Sequence, residues 1–393
     1  MSSLQSLPLS PSSSAPSASL PGLLEVPTDD LKAWLAERGQ PGHRVKQLRR
    51  WILVAGAESF DAMTDLPKAL RQDLAASFAP LGNRVIKHLQ ADDGTHKLLV
   101  GLRDGKSIEC VLIQEAERRT ACISTQVGCG MGCVFCASGL NGVDRNLTVG
   151  EILEQLVRLR NLPTYDPVRK RRLEESGERV DRLTHIVVMG MGEPLANLEN
   201  LLAALEVAIA KDGLGIGARH VTISSVGIPG KMRQLADLGK QYHLAVSLHA
   251  PMDKLRTEIV STNDKIGLTS ILAAADYFLE TTGRQVTFEY VLLGNLNDGP
   301  EHAHALTRLL HGRGAHVNII PFNDVAGLPY RRPSPEALAG FQDTLHRAGI
   351  SVKVRKRKGA QIDAACGQLR RSTLNDKVSQ PALPEVDVRG DDR

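Results

Sequence analysis

No stretch of this 393-residue chain approaches the run of about 20 apolar residues that a membrane-spanning helix needs. The opening segment also lacks the basic start and continuous apolar core of a secretory signal. Cysteine is scarce: six residues in a chain this long are too few for a secreted disulfide scaffold. Neither sign of charge dominates, since 48 Lys and Arg against 44 Asp and Glu leave a net +4. That mild excess permits a nucleic-acid partner without requiring one. With 42% hydrophobic and 23% charged residues the composition is globular, which excludes collagen, coiled coil and wholesale disorder. The length allows two or three domains.

Nine serines in the first 20 positions, several prolines and no charge before residue 23 read as a disordered tail over residues 1–24. Apolar residues at three- and four-residue spacing then predict helices around Leu31 to Leu35, Val45 to Val54 and Lys68 to Leu74. These form a helical accessory module over 25–80, whose Arg44, Lys46, Arg49 and Arg50 suit either an RNA-facing surface or a solvated helix face. Over 81–118 strands are expected, with His96 to Leu102 and Ser107 to Ile113 flanking the turn signal Asp104-Gly105 as a hairpin linker.

From Thr120 onward, candidate strands (120–124, 184–189, 220–225, 243–248, 285–293, 316–321) alternate with helical stretches. The helices fall near 148–161, 197–211, 230–239, 268–281, 300–311 and 334–348. The first opens with a capping box, Thr148 to Glu151. Six strand–helix units in succession imply a parallel α/β sheet over 119–371, open or curled toward a barrel. A charge-rich stretch at 163–182 reads as a surface insertion, and 372–393 as a flexible tail.

The cysteines are badly dispersed for disulfides. Cys110, Cys122, Cys129, Cys133 and Cys136 crowd into 27 residues, and Cys366 follows 230 residues later. Cys129, Cys133 and Cys136 make a CxxxCxxC triplet on a loop whose glycines allow tight turning. Three thiolates leave one iron of a [4Fe–4S] cluster open, whereas four ligands would close either a cluster or a structural zinc site. The loop follows a candidate strand, where α/β enzymes place their chemistry. A zinc site completed by Cys122, Cys110 or a distant histidine is the competing reading of the same spacing.

The triplet is the signature of the radical S-adenosylmethionine superfamily, and the chain resembles its RlmN/Cfr family of RNA adenosine methyltransferases. The likeness spans about residues 30–371. It is carried by Glu109, the block Cys122 to Cys136, Arg145 to Thr148, Gly190 to Asn197, Ser247 to Pro251, and Asp363 to Leu369 with its cysteine. The resemblance implies a partial (β/α)6 barrel with a helical RNA-binding accessory domain. It implies methylation of adenosine C2, at adenosine 2503 of 23S rRNA and, for dual-specificity members, at adenosine 37 of tRNAs. It further implies that Cys129, Cys133 and Cys136 hold a [4Fe–4S] cluster, with S-adenosylmethionine on the fourth iron, two molecules being used per turnover. Gly192, Glu193, Ser224, Ser247, Leu248, His249 and Asn323 would contact that cofactor. All but Gly192 and Glu193 fall at the C-terminal ends of candidate strands, where a barrel site is expected.

An aromatic C2–H has no lone pair for ordinary methyl transfer, and the family's route supplies an alternative. Cys366 would take a methyl group, a radical made from that methyl would join adenine C2, and Cys122 would resolve the crosslink as a disulfide. Glu109 would act as the base. Cys110 matches no role and reads as structural. The segment from Gly359 to Gly367 has no hydrophobic period and reads as a mobile loop, and Arg355 to Lys358 before it suits phosphates or a polar strand end. The implied partners are 23S rRNA, tRNA and an electron donor such as a flavodoxin, in the cytoplasm and away from membranes. Two alternatives stay open: the same chemistry at adenosine C8, and a zinc-stabilised RNA-binding protein without catalysis.

Overall fold

The computed structural model describes residues 20–116, 118–164, 171, 174–176 and 181–370. Of the segments read as tails, residues 1–19 and 371–393 lie outside the described residues, as does most of the 163–182 stretch.

One ten-stranded sheet organises the chain, in the order β1-β2-β3-β4-β7-β8-β9-β10-β11-β12. Strands β1 (Arg84–Gln90), β2 (His96–Gly101) and β3 (Ser107–Glu115) form an antiparallel meander that continues into β4 (Arg118–Cys122). From β4 onward every pairing is parallel, through β7 (His185–Val188), β8 (Val221–Ser225), β9 (His243–Ser247), β10 (Val286–Leu292), β11 (Ala315–Pro321) and β12 (Ser351–Val354). Strands β5 (Gln126–Gly128) and β6 (Val143–Asn146) make a separate two-stranded ribbon. The sheet has two ends and therefore does not close, which is the partial barrel implied by the resemblance. Alternation along β8 shows its two faces: Val221, Ile223 and Ser225 are buried, while Thr222 and Ser224 on the other face are half-buried.

Six of the seven helices that accompany the parallel strands fall at the expected positions. The seven are α4 (Val149–Arg160), α5 (Leu198–Ile209), α6 (Pro229–Asp237), α7 (Asp253–Ile259), α8 (Leu268–Thr282), α9 (Pro300–Leu310) and α10 (Pro335–Arg347). Both arms of the α4 capping box are made: Thr148 Oγ1 accepts from the Glu151 amide at 3.2 Å, and Glu151 accepts from the Thr148 amide at 2.9 Å. Four elements escaped the periodicity, among them the short ribbon strands β5 and β6. Helix α7 is barely two turns long, and β12 is a four-residue edge strand with alternate residues exposed, too short and too polar to announce itself.

Helices α1 (Thr28–Ala36), α2 (Arg44–Leu53) and α3 (Lys68–Ser77) bury Leu31, Leu35, Val45, Leu48, Ile52, Leu70 and Leu74. Each such side chain stabilises by about 1.5–3 kcal/mol in transfer terms. They share one continuous core with the sheet. Helix α4 is the joint: Arg160 donates to the carbonyls of Leu53 and Val54, placing a cation on the C-terminal end of α2, while Glu154 accepts from the Gly82 and Asn83 amides.

Candidate active site

The three cysteines of the triplet sit on the loop between β5 and β6. Gly128 turns into it at φ +80°, with the Gly142 carbonyl lying where a side chain would be, so only glycine fits. The Cys129 amide donates to that same carbonyl at 2.9 Å. Farther along, Cys133 bridges Val260, and the Val134 amide donates to Ile259 at 3.1 Å, fastening the loop to the end of α7. Phe135 plugs a small apolar cluster with Val226, Val260, Leu293 and Phe322, and its ring meets that of His249 edge-on at 4.7 Å.

Burial pushes the Cys129 thiol up to about 12 and raises those of Cys133 and Cys136, and Cys133 is raised further by both of the others. Three thiols on one short loop, acting electrostatically on one another, are a donor set of the kind that binds metal cations as thiolates. Among the described residues no group of three His, Cys, Asp or Glu side chains is gathered around a single metal position. The donor set fits a larger iron–sulfur unit held by three thiolates.

Gly192 and Glu193 lie directly against this loop. Gly192 adopts φ +100°, and a side chain there would run into the Gln126 backbone at 2.7 Å. The carboxylate of Glu193 is buried and accepts from the Leu195 and Val226 amides, both at 2.9 Å, while its own amide donates to Gln126 at 2.8 Å. Burial raises its proton affinity, against the pull of those donors.

The remaining strand-end residues converge from the other side. Ser224 is in the last turn of β8, Ser247 ends β9, and Leu248 and His249 follow it. His249 takes a left-handed backbone at φ +60°, its Nδ1 accepting from the Val291 amide at 3.1 Å. Burial, then Arg256, depresses its pKa to about 3, so it is a neutral acceptor. Asn323 stands two residues beyond β11 and donates to the Cys366 carbonyl at 3.2 Å.

Cys366 reaches the site from the far end of the chain on a loop that is pinned, in contrast to the mobile segment expected. The Ala137 amide donates to Gly367 at 2.8 Å, and the Ser138 hydroxyl to Leu369 at 2.5 Å, seating the loop on the triplet loop. Gly359 is held by Asp93, and Gln368 donates to Asp324 at 2.7 Å. Glu109, on β3, is buried. It pairs with Lys97 at 3.0 Å and accepts from the Arg370 amide at 3.0 Å. Cys122 and Cys366 both line a cavity of about 560 Å³, within the range of substrate-sized sites, alongside Met189, Glu289 and Asn318. Burial lifts the Cys122 thiol to about 12, and Cys366 adds to the rise. Basic side chains at Arg332 and from Lys353 to Lys358 line the same cavity.

All thirteen residues expected from the sequence thus lie on this end of the sheet or on loops tied to it. Three others went unread. Arg256 is fully buried and donates to Val226 (2.6 Å), Ser247 (3.0 Å), Leu248 (3.0 Å) and Asn263 (2.6 Å), clamping the ends of β8 and β9. Lys97 is the second, and the third is Arg355, read only within a basic run for phosphates or a polar strand end and not as a neighbour of Cys122 and Cys366. Each is a basic residue at a strand or strand end, and nothing in the pattern separates such residues from solvated ones.

Comparison with known proteins agrees with this geometry. Residues 123–306 match the family model of the radical SAM superfamily, and residues 22–79 that of the ribosomal RNA large subunit methyltransferase N-terminal domain. A probable dual-specificity RNA methyltransferase RlmN of Rhodopirellula baltica is 53% identical over 350 residues, covering 89% of this chain and 91% of the relative. Its counterpart in Symbiobacterium thermophilum is 45% identical over 354 residues, with 89% and 91% covered. The crystal structure of a radical SAM methyltransferase from Sphaerobacter thermophilus superimposes with a TM-score of 0.81 at 40% identity, over 89% of this chain and 99% of that one.

Proposed function

The chain belongs to the RlmN family of radical S-adenosylmethionine methyltransferases, and from that premise we propose that it methylates C2 of adenosine in RNA through a methylcysteine at Cys366. It is a radical S-adenosylmethionine RNA methyltransferase, with a [4Fe–4S] cluster and S-adenosylmethionine as its cofactors. When bound, these supply the methyl group and the hydrogen-abstracting radical chemistry.

The protein's own residues have defined tasks in this reading. Cys129, Cys133 and Cys136 hold the cluster. Glu193 receives the cofactor's amino group, for which a buried carboxylate is suited. Gly192, Ser224, Ser247, Leu248, His249 and Asn323 shape the surrounding pocket. Cys366 carries the methyl group, Glu109 takes the proton from C2, and Cys122 closes a disulfide with Cys366 to free the RNA. Two S-adenosylmethionine molecules are consumed per turnover, one for Cys366 and one for the radical. The basic lining at Arg332 and Lys353 to Lys358 meets the RNA backbone, with adenosine 2503 of 23S rRNA and adenosine 37 of tRNA as targets. The reaction runs in the cytoplasm with a flavodoxin-type electron donor. Among the described residues no helix is long and apolar enough to cross a membrane.

One observation carries the reading: Cys366, 230 residues beyond the triplet, is seated on the triplet loop and shares a cavity with Cys122. No cluster-binding or zinc-binding role needs that second pair of thiols. The test is nucleoside mass spectrometry of 23S rRNA and tRNA, after anaerobic incubation with reconstituted protein, reductant and S-adenosylmethionine. 2-Methyladenosine is the expected product, and 8-methyladenosine or an unmodified digest overturns the proposal.

A further inference from the structure

Lys97 is a buried lysine to which the reaction as described assigns no task. It lies on β2, where its backbone partner across the ladder is Val111 of β3, and Glu109 is the diagonal neighbour two residues away on the same face. Its side chain is 8% exposed and that of Glu109 6%, so the pair is shielded from solvent. The ammonium sits 3.0 Å from Glu109 Oε1 and donates to the Asp363 carbonyl, also at 3.0 Å. The other oxygen of Glu109 accepts from the Arg370 amide at 3.0 Å.

These contacts bracket the cysteine. Asp363 stands three residues before Cys366 and Arg370 four after it, and both are held by one ion pair on two adjacent, rigid strands. An ammonium suits the position because it offers three donors in different directions, one for the carboxylate and one for the loop carbonyl. Asp363 is in the left-handed region at φ +50°, a conformation that needs outside support in a residue with a side chain. The chain turns there immediately before Ala364 and Ala365.

We propose that Lys97 is a positioning residue: by joining Glu109 to the loop of residues 359–370 it fixes the place of Cys366 and the orientation of the base with a single contact. The proposal rests on the reading of Cys366 as the methyl carrier and Glu109 as the base. It adds that the two are set by one shared partner. Glu109 gains from the arrangement as well, because burial raises its pKa while Lys97 and the Arg370 amide oppose that rise.

The experiment compares Lys97→Met, which keeps the length and removes the charge, with Lys97→Arg, which restores charge and donors. Each is studied as full-length, cluster-loaded protein. Hydrogen–deuterium exchange reports the loop, and intact-mass analysis after one exposure to S-adenosylmethionine reports methyl occupancy of Cys366. For Lys97→Met, exchange over 363–370 should accelerate at least tenfold while α8 and α9 keep their protection, and the rate of Cys366 methylation should fall at least tenfold. Lys97→Arg should recover both to within about threefold. Unchanged loop exchange and unchanged methylation in Lys97→Met overturn the proposal, and so does a uniform rise in exchange across the chain that Lys97→Arg does not repair. If wild-type Cys366 takes no methyl group, the methyl-carrier reading falls, and the exchange comparison still decides the anchoring role of Lys97.

Discussion

Replacing Arg256 by methionine tests the idea that the cofactor-facing strand ends are clamped by one buried cation. The guanidinium is 1% exposed and makes four hydrogen bonds, three of them to carbonyls at the ends of β8 and β9. Burial lowers its pKa to about 10, so it is still charged at neutral pH. Hydrogen bonds from a charged donor contribute roughly 1.5–3 kcal/mol each, but they share one side chain and do not add. Removing one member of a buried, fully bonded polar group costs about 3–5 kcal/mol because the acceptors left behind stay dry. Methionine fills much of the volume, so the cavity contribution is small.

At an unfolding entropy of about 2.1 cal/mol/K per residue, a chain of 393 residues loses roughly 4–6 °C of Tm for that cost. Differential scanning calorimetry of wild type and Arg256→Met gives the number directly. Equilibrium dialysis with S-adenosylmethionine on the cluster-loaded protein should show affinity down at least tenfold, since Ser247 and Leu248 lose their fixed carbonyls. Arg256→Lys keeps the charge but cannot span four acceptors with a planar fork, so it should fall between the two. A Tm within about 1 °C of wild type, with cofactor affinity intact, would refute the clamp.

Three further outcomes follow from single contacts. His249 has its pKa depressed to about 3 by burial, against 6.5 when exposed, so the folded state binds fewer protons between these values and stability falls as pH drops through 6.5. The share due to His249, read from denaturant midpoints as the difference between wild type and variant, should be about 2 kcal/mol lost between pH 7 and pH 5. His249→Asn, which tolerates the left-handed backbone, should lack that loss. Gly192→Ala places a Cβ 2.7 Å from the Gln126 amide nitrogen at φ +100°, so cofactor affinity should drop at least tenfold while the thermal midpoint moves by only a few degrees. Cys122→Ala should yield protein covalently joined to RNA, visible as a shifted band removed by ribonuclease, and variant recovered free of RNA after turnover would count against the resolving role.

Much of this was legible in the sequence because the parallel sheet repeats a simple beat. The helix starting at Val149 announces itself by its capping box, and those starting at Leu268 and Pro300 by their apolar period. The cysteine triplet carries chemistry in its identity and spacing, whereas the strand-end residues were legible only through the family resemblance. What stayed hidden shares one property: its meaning depends on partners far away in the chain. Lys97 bonds residue 363 across 266 positions, and Arg256 bonds Val226 across 30, and neither periodicity nor motif encodes such pairings. Strand β12 was hidden for a different reason. Its four residues are read only against β11, and the basic run after it looks like a surface.

Arg355 shows how that basic run divides by function. Its guanidinium lies 3.7 Å from the sulfur of Met189 and lines the cavity with Cys122, Cys366 and Glu289. Its proton is held more tightly than usual, chiefly by Cys366 and then by Glu289 and Cys122. For Cys122 the same charge opposes a rise caused by burial. Without that charge the Cys122 thiol would resist ionising still more, and only the thiolate attacks sulfur. Arg355→Gln should therefore slow closure of the Cys122–Cys366 disulfide at least tenfold, followed by mass spectrometry of quenched samples. Raising the pH should recover the rate, and Arg355→Lys should lie between. Lys356→Gln and Lys358→Gln, neither of which acts on Cys122 as Arg355 does, should leave closure unchanged and weaken RNA binding in a salt-dependent way. If Arg355→Gln closes the disulfide at the wild-type rate across pH 6 to 9, the charge does not act on the thiols, and the whole segment reduces to a phosphate grip.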